Sequence, residues 1–124
     1  MRLEALVGGA TEIIGPEGTL IDAAQSMADH EVDYVIVTDN RQVVGILTER
    51  DLVLAVAEGV DLGAALVEEW MSEGPDTFGP EVSIEEAVAW LLETGYRHLP
   101  VVTAEELLGV VTIRDLMWAL VQEA

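Results

Sequence analysis

Two stretches of this chain carry the same pattern at a constant distance along the sequence. GILTERDLVLAV (Gly45–Val56) and GVVTIRDLMWAL (Gly109–Leu120) share Gly, Thr, Arg, Asp, Leu and Ala at matching positions. At an offset of 64 residues, segment 15–56 lies over segment 79–120 without a gap, and about a quarter of the aligned pairs are identical. The register predicts an internally duplicated fold.

Both copies predict the same order of elements. A Gly-Pro pair precedes an N-cap residue, Thr19 or Ser83, and Glu86 stands at capping-box spacing from Ser83. The apolar periodicity then predicts a helix, two strands joined by a polar turn, and a last helix starting at Thr48 or Thr112. The predicted helices cover 20–30, 84–94 and, between the copies, 64–71; the predicted strands cover 11–14, 34–38, 43–47, 77–78, 98–102 and 107–111. Each copy is a β-α-β-β-α unit.

The size of one copy limits how it can fold. About 45 residues with two helices bury too little apolar surface to be stable alone. We therefore predict an α+β fold in which two repeats pack through their sheets with approximate two-fold symmetry. The predicted domains are residues 1–62, a first repeat with an N-terminal segment, and residues 63–124, a second repeat.

The motif order of the second copy resembles that of CBS domains. It runs M-S-x-x-P-x-T, S-x-x-E-A, R-H-L-P-V-V and G-V-V-T-x-x-D between Met71 and Asp115. In the first copy, the positions of P-x-T, Arg-His and Leu-Pro hold Thr11-Glu12-Ile13, Asp33-Tyr34 and Val35-Ile36. The resemblance spans nearly the whole chain and identifies a tandem pair, or Bateman module. It implies a regulatory module that binds an adenosine-containing ligand such as AMP, ADP, ATP or S-adenosylmethionine.

The T-x-x-D motif of each copy has two possible roles. A Thr before a helix and an Asp at its third position are ordinary helix-capping residues. The same groups could instead bind a ligand, since a helix N-terminus attracts phosphate and a carboxylate accepts from two ribose hydroxyls. An Arg between them could reach the phosphate, and the resemblance assigns the ribose contact to the Asp. The residues are Thr48, Arg50 and Asp51 in the first copy and Thr112, Arg114 and Asp115 in the second.

The resemblance places ligand clefts between the repeats, and two pairings remain open. If each cleft joins the T-x-x-D of one copy to the strand start of the other, Thr48, Arg50 and Asp51 join Thr77, Arg97, His98, Leu99 and Pro100, while Thr112, Arg114 and Asp115 join Ile13, Asp33, Tyr34 and Val35. The first cleft is then favoured, because Asp33 would repel phosphate in the second. If the pairing is within copies, Arg97 and His98 join Asp115 and the preference is reversed. An ion pair of Arg97 with Glu93, and a neutral His98 packed under the sheet, are the structural alternatives.

The charge of the chain excludes some partners. With 24 acids, 5 arginines and no lysine, the net charge of −19 repels nucleic-acid phosphates. No apolar run approaches the roughly 20 residues of a membrane span, and a secretory signal pattern is absent, so a cytoplasmic location is expected. Such acidity predicts a halophilic, salt-rich cytosol, where the Debye length is about 3 Å at molar salt. An acidic protein of an ordinary cytosol is the alternative.

The residue types do not predict catalysis. The chain has no Cys, its two His are far apart in sequence, and Ser26, Ser72 and Ser83 have no evident base. We predict no enzyme activity, no metal site and no firm cofactor, with the adenosine compound acting as a regulatory ligand. Whether magnesium accompanies ATP stays open.

The last helix of each copy predicts self-association. The apolar runs Leu52–Val56 and Leu116–Val121 exceed what one helix face of a small monomer can bury, and Trp90 and Trp118 add to this. A homodimer is expected, and a regulated partner protein is a further candidate; internal burial of the tryptophans is the alternative. The alternative function is a structural dimerisation or adaptor module that binds no ligand.

Overall fold

The described residues form two compact units. The computed structural model describes residues 1–8, 11–104 and 106–123. The first unit is Thr11–Pro75, and the second unit combines residues 1–8 with the chain from Asp76 onward. Both units mix helices and strands in the order β-α-β-β-α, which confirms the predicted α+β class and the duplication.

The first unit is built on a four-stranded sheet. Its elements are β1 (Ile13–Ile14), α1 (Leu20–His30), β2 (Tyr34–Asp39), β3 (Gln42–Thr48), α2 (Glu49–Glu58), α3 (Val67–Trp70) and β4 (Ser72–Glu73). The strand order is β1-β2-β3-β4, with β1 parallel to β2 and the other pairs antiparallel. β4 passes so close to β3 that a Cβ on Gly45 would lie 3.0 Å from the Ser72 carbonyl oxygen. This contact explains the glycine of the G-x-x-T motif in this repeat.

The second unit repeats the same plan around β5 and β6. Its elements are a 3-10 turn (Leu3–Ala5), α4 (Ile84–Thr94), β5 (His98–Val102), β6 (Leu107–Thr112) and α5 (Ile113–Glu123). β5 and β6 are antiparallel, and the predicted strand 77–78 is reduced to a parallel bridge between Phe78 and Val101. The polar turn predicted between these strands includes residue 105, which lies outside the described residues.

The predicted helices α1 and α4 are confirmed at both ends because their caps form as expected. Thr19 Oγ1 accepts a hydrogen bond from the Asp22 N–H at 3.2 Å, and Ser83 Oγ accepts from the Glu86 N–H at 3.1 Å. Each helix ends at a residue with left-handed backbone, φ 53° and 79° at positions 31 and 95. The four long strands agree with prediction to within a residue, whereas the helix predicted over 64–71 is confined to α3 and the strand predicted over 11–14 is confined to β1.

Each unit encloses its own apolar core between helices and one face of its sheet. The first core contains Leu20, Ala23, Met27, Val35, Val37, Leu47, Ala55 and Val67. The second core contains Leu3, Ile84, Ala87, Leu91, Leu99, Val101, Val111, Leu116 and Ala119. Nearly all members come from matching positions of the two repeats. Leu3 has no counterpart in the segment over which the sequence repeat was aligned.

The N-terminal residues reproduce, in the second unit, the contacts that α3 makes in the first. The N–H of Leu3 donates to the Val82 carbonyl at 2.9 Å, and the N–H of Val67 donates to the Gly18 carbonyl at 2.8 Å. The residues of these two hydrogen bonds are 64 positions apart. Two further hydrogen bonds match in the same way. The bond from Ile84 N to Met1 O (3.1 Å) matches that from Leu20 N to Ala65 O (3.0 Å), and the bond from Glu4 N to Pro80 O (3.0 Å) matches that from Glu68 N to Pro16 O (3.1 Å). The side chains of Leu3 and Val67 are fully buried. The structural repeat therefore extends to the first residues of the chain.

The boundary between the packing units consequently differs from the predicted boundary between residues 62 and 63. Residues 1–8, predicted to accompany the first repeat, pack on the second, while residues 63–75 pack on the first. The physical reason is the burial of Leu3 in the second core and of Val67 in the first. The Met1 ammonium also lies 2.9 Å from Glu123 Oε1, and the hydrogen bond between them raises the pKa of the ammonium and lowers the pKa of Glu123.

Candidate functional site

Each T-x-x-D motif forms a helix cap. In the second unit the Thr112 N–H donates to Asp115 Oδ2 at 2.8 Å, and the Asp115 N–H donates to Thr112 Oγ1 at 3.2 Å. In the first unit the Thr48 N–H donates to Asp51 Oδ2 at 2.8 Å, and the Thr48 hydroxyl donates to the same oxygen at 3.2 Å. The capping role considered from the sequence is therefore confirmed in both repeats.

The caps use only part of the hydrogen-bonding capacity of these side chains. In both repeats the Asp bonds through Oδ2, and Oδ1 receives no hydrogen bond from the described residues. Both carboxylates are half-buried, so Oδ1 can still meet a ligand. A carboxylate has acceptor sites on each oxygen. Capping and ribose binding are thus compatible roles of one side chain.

The two threonine hydroxyls take part in different hydrogen bonds. Thr112 Oγ1 accepts a hydrogen bond, which leaves its proton free to be donated. The Thr48 hydroxyl gives its single proton to Asp51 Oδ2. A hydroxyl proton rotates to suit its partners, so Thr112 can donate to a phosphate or ribose oxygen, and Thr48 can do so on giving up its bond to Asp51.

The first N–H group of the last helix is occupied in each repeat. The N–H of Glu49 donates to the Asp33 carbonyl at 3.0 Å, and the N–H of Ile113 donates to the Arg97 carbonyl at 3.0 Å. In α5 the third N–H group, that of Asp115, is also bonded. The start of α5 therefore has fewer free N–H groups than expected from the sequence. A phosphate bound there would depend mainly on side chains.

One face of the β5-β6 pair collects several of the predicted site residues. In the antiparallel register His98 lies opposite Thr112 and Pro100 lies opposite Val110. The alternating residues of these strands, such as Leu99 and Val111, belong to the second core. Because side chains alternate across a strand, His98, Pro100, Val110 and Thr112 share the face opposite the core. Phe78 packs on the core, and the preceding residue, Thr77, is exposed.

Two of the five arginines lie near the start of α5, Arg114 within the helix and Arg97 as the residue before β5. The Arg97 backbone is hydrogen-bonded to Ile113, the residue before Arg114, and both arginine side chains are exposed. Among the described residues, Arg97 forms no ion pair with Glu93 within 4.0 Å, so that structural alternative is wrong. On a chain of net charge −19, this is a local concentration of positive charge suited to an anion.

The matching face of the first unit is more apolar and carries a negative charge at the corresponding place. Tyr34 lies opposite Thr48, Ile36 opposite Ile46, and Ile13 beside Ile36. Asp33 occupies the position of Arg97 and contacts the start of α2 through its carbonyl group. Of the cationic residues near α5, only the counterpart of Arg114, Arg50, is present here. This face is less suited to phosphate.

Within each unit, the structure brings the strand start and the T-x-x-D motif of the same repeat together. Arg97, His98, Thr112, Arg114 and Asp115 lie within the second unit and are linked through the β5-β6 register and the start of α5. This is the arrangement that pairing within copies requires. The cross-repeat pairing, which joins residues of the two units, stays a prediction.

Some residues depart from the predicted set. Leu99 and Val35 are fully buried in their cores, so a ligand would meet only their backbones. Conversely, Val110 and Ile46 were not predicted as site residues, although they lie on the candidate faces, which are the sheet faces opposite the two cores. The two-residue alternation of the strands, applied to β3 and β6, could have identified both.

Neither a membrane helix nor a metal cluster is found among the described residues. No described helix combines the length and apolar character that crossing a membrane needs. Within residues 1–8, 11–104 and 106–123, no group of three or more His, Cys, Asp or Glu side chains could hold a metal ion.

The sequence is similar to several curated proteins over most of its length. An uncharacterized 17.7 kDa protein of Acidianus ambivalens is 36% identical over 110 residues, which cover 87% of this chain and 66% of that protein. The CBS domain-containing protein YhcV of Bacillus subtilis is 34% identical over 83% of this chain and 74% of its own length. An inosine-5'-monophosphate dehydrogenase of Korarchaeum cryptofilum is 31% identical, but the match covers only 24% of that enzyme. The chain thus spans under two thirds of the first and third of these relatives.

Solved structures match nearly the whole chain. A CBS domain protein of Pyrobaculum aerophilum, complexed with AMP, superposes with a TM-score of 0.90 and 26% identity over 99% of this chain and 97% of its own. A CBS-domain containing protein of Agrobacterium tumefaciens gives a TM-score of 0.88 and 28% identity over 96% and 98%. The sequence profile of the CBS domain itself matches residues 12–58 and 67–122. The chain therefore belongs to the CBS-domain family, as a tandem pair of CBS domains.

Proposed function

We propose that this protein is a regulatory, non-catalytic module that binds an adenosine-containing ligand at the second repeat, in the region of Asp115. The observation that carries the proposal is the arrangement at the start of α5. There, a capped Asp with a spare oxygen, a Thr hydroxyl with a spare proton and two arginines meet on one unit.

Each part of the ligand has a candidate partner. Asp115 Oδ1 accepts from the vicinal hydroxyls of the ribose, as carboxylates do in dinucleotide-binding folds. The Thr112 hydroxyl and the guanidinium groups of Arg97 and Arg114 donate to the phosphate. Val110, which is half-buried, supplies apolar surface for the base, whereas the side chain of Pro100 is buried. Thr77 and His98 contribute further polar contacts.

The choice of adenosine rests on a relative, whereas the geometry supports a ribose and a phosphate. The Pyrobaculum aerophilum protein, which is 26% identical over almost the whole chain, was solved in complex with AMP. A ribose and a phosphate are also the groups that the α5 residues can recognise. AMP is therefore the first ligand to try, followed by ADP, ATP and S-adenosylmethionine.

Thermal melting of the purified chain tests the proposal. At a ligand concentration about 100 times the dissociation constant, binding adds about 2.7 kcal/mol to the free energy of unfolding, which raises Tm by several degrees. We expect this shift for AMP or another adenosine compound and none for its guanosine counterpart. Absence of a shift for every adenosine ligand would favour the second candidate function, a dimerisation or adaptor module without a ligand.

The exposed faces of α2 and α5 support self-association, which both candidate functions allow. Large apolar side chains on these helices are exposed: Val53 65%, Leu54 45%, Val56 61%, Met117 61%, Trp118 56% and Val121 71%. Trp90, by contrast, packs against the second core. A CBS-CP12 protein that is 25% identical over 95% of this chain is hexameric. We propose that two copies of this chain associate through α2 and α5.

Substitution on α5 is expected to abolish this association. The double substitution Met117→Glu and Val121→Glu adds two charges to the proposed interface, and sedimentation equilibrium should change from the mass of a dimer to that of a monomer. Gln122→Glu, which adds a charge at an exposed polar position of the same helix, is the control and should remain dimeric. A monomeric parent protein, or a double variant that stays dimeric, would contradict the proposal.

A further inference from the structure

Three polar side chains in the first unit form a cluster that the proposed ligand site does not use. Ser26 Oγ donates to Glu12 Oε2 at 3.2 Å, and His30 Nε2 lies 3.4 Å from Glu12 Oε1. The other ring nitrogen of His30, Nδ1, lies 2.9 Å from the Ser26 carbonyl oxygen. The Glu12 side chain is 23% exposed and the His30 side chain 53% exposed. The cluster joins the residue before β1 to the C-terminal half of α1.

Both partners of His30 are hydrogen-bond acceptors. A carbonyl oxygen and an ionised carboxylate can only accept hydrogen bonds, and a neutral imidazole has a single N–H to donate. Both contacts are therefore complete only when the ring carries two protons and a positive charge. Histidine is the side chain that gains or loses this charge between about pH 5 and 8. We propose that Glu12, Ser26 and His30 form a proton-responsive clasp that fastens the segment before β1 to α1 at low pH and loosens it as pH rises.

The second repeat holds the corresponding segment in place without a pair of titratable side chains. Its residues at the positions of Ser26 and His30 are Trp90 and Thr94. The Thr94 hydroxyl donates to the Trp90 carbonyl at 2.9 Å, which replaces the Nδ1 contact of His30 by a group that does not titrate in this range. The Trp90 ring packs edge-on against Phe78 at 4.9 Å between centroids. The second repeat thus serves as a comparison within the same chain, because aromatic packing and not a titratable pair holds Phe78 against α4.

A backbone hydrogen bond shows whether the segment before β1 is in place beside β2. The Ile36 N–H donates to the Glu12 carbonyl at 3.0 Å, so this amide is protected from solvent exchange only while residue 12 stays beside β2. The next residue, Ile13, lies on the candidate face of the first unit. In the second repeat, Pro100 replaces Ile36 and has no N–H. The nearest reporter there is the Val102 N–H, which donates to the Phe78 carbonyl at 2.9 Å.

Other charged and titratable groups lie on α1, on the turn that follows it, and on β2 and α2, which pack near the clasp, and these groups must be held constant in any test. They are Asp22 and Asp29 on α1, Glu31 and Asp33 in the turn that follows, Tyr34 and Asp39 on β2, and Glu49, Arg50, Asp51 and Glu58 on α2. A comparison of variants that differ only at Glu12 or His30 keeps all of these groups unchanged. Any difference in pH response between those variants then belongs to the clasp.

Amide hydrogen exchange of the full chain, followed by NMR at low salt, tests the clasp. The expected result is a fall of about three-fold in the ratio of protection factors, Ile36 to Val102, between pH 5 and pH 8, the size expected for a partly exposed ion pair. The ratio cancels changes in global stability. A ratio that stays constant over this range would overturn the proposal.

Three variants assign the effect. His30→Gln keeps a polar side chain but cannot gain a proton, and Glu12→Gln keeps an acceptor for Ser26 but loses its charge; both should remove the pH dependence of the ratio. His98→Gln, which removes the other imidazole of the chain, should leave the dependence as in the parent protein. A pH dependence that survives His30→Gln, or that disappears with His98→Gln, would assign it to another group and contradict the clasp.

Discussion

Replacement of Leu3 by Ala is expected to lower the free energy of unfolding of the second unit by about 3 kcal/mol, within the usual range for buried leucines. Leu3 is fully buried and belongs to the second core although it lies some 80 residues away from that core in the chain. The substitution removes apolar contacts and leaves a cavity in the second core. Urea denaturation followed by tryptophan fluorescence measures the change.

Two further substitutions complete this experiment. Glu4→Ala changes an exposed neighbour in the same segment and should alter stability by less than about 0.5 kcal/mol. Val67→Ala, at the matching position of the first core, should be destabilising in the same way as Leu3→Ala. If Leu3→Ala were as mild as Glu4→Ala, residues 1–8 would not be part of the second core.

Replacement of Asp115 by Asn is expected to weaken AMP binding by about 100-fold or more, the effect of losing a charge-assisted hydrogen-bond pair to a ribose. Asn retains one acceptor oxygen for the Thr112 N–H, so the cap is largely kept and the loss of stability should be small. It has no second acceptor for the ribose hydroxyls. Binding is measured by calorimetric titration, and folding by the Tm of the same sample.

The matched substitution in the first repeat separates the two possible pairings. Asp51→Asn makes the same chemical change in the same type of cap. With a site formed by the second repeat, AMP affinity should change by no more than about three-fold in this variant. Loss of binding in Asp51→Asn with retention in Asp115→Asn would instead support the cross-repeat pairing.

The helices were predictable because their signals are local. Thr19 and Ser83 identify the start of α1 and α4 through a side chain and an N–H three residues apart, and both hydrogen bonds form. The strands were predictable from short apolar runs and an intervening polar turn. In the first repeat this turn has positive φ at Asn40 and Arg41, 49° and 68°, as tight hairpins require.

The features that the sequence did not predict depend on contacts between distant residues. Segment 1–8 is short and has no clear periodicity, so nothing in it indicates that Leu3 completes a core formed mainly after residue 82. The link between Arg97 and the start of α5 is a backbone hydrogen bond, which side-chain types do not reveal. Trp90 and Trp118 both lie on helices, yet one packs on a core and the other is 56% exposed. Helical spacing alone could not distinguish them.

The two repeats also diverge in a direction that favours the second as the ligand site. Offset by 64 residues, Arg97 replaces Asp33, His98 replaces Tyr34 and Thr77 replaces Ile13. Arg97 puts a positive charge where Asp33 is negative, and Thr77 puts a hydroxyl where Ile13 is apolar. The hypothesis of a salt-rich cytosol, which rests on the acidic composition, stays a prediction.

Calorimetric titration of the parent chain with AMP, with GMP as the comparison, tests the central claim most directly. We predict saturable binding of AMP with a Kd below about 1 mM, the weakest affinity that a regulatory site at cellular nucleotide concentrations could use. GMP should give no saturable heat under the same conditions. If neither AMP nor any other adenosine compound binds, the start of α5 is a structural cap alone and the sensing function is wrong.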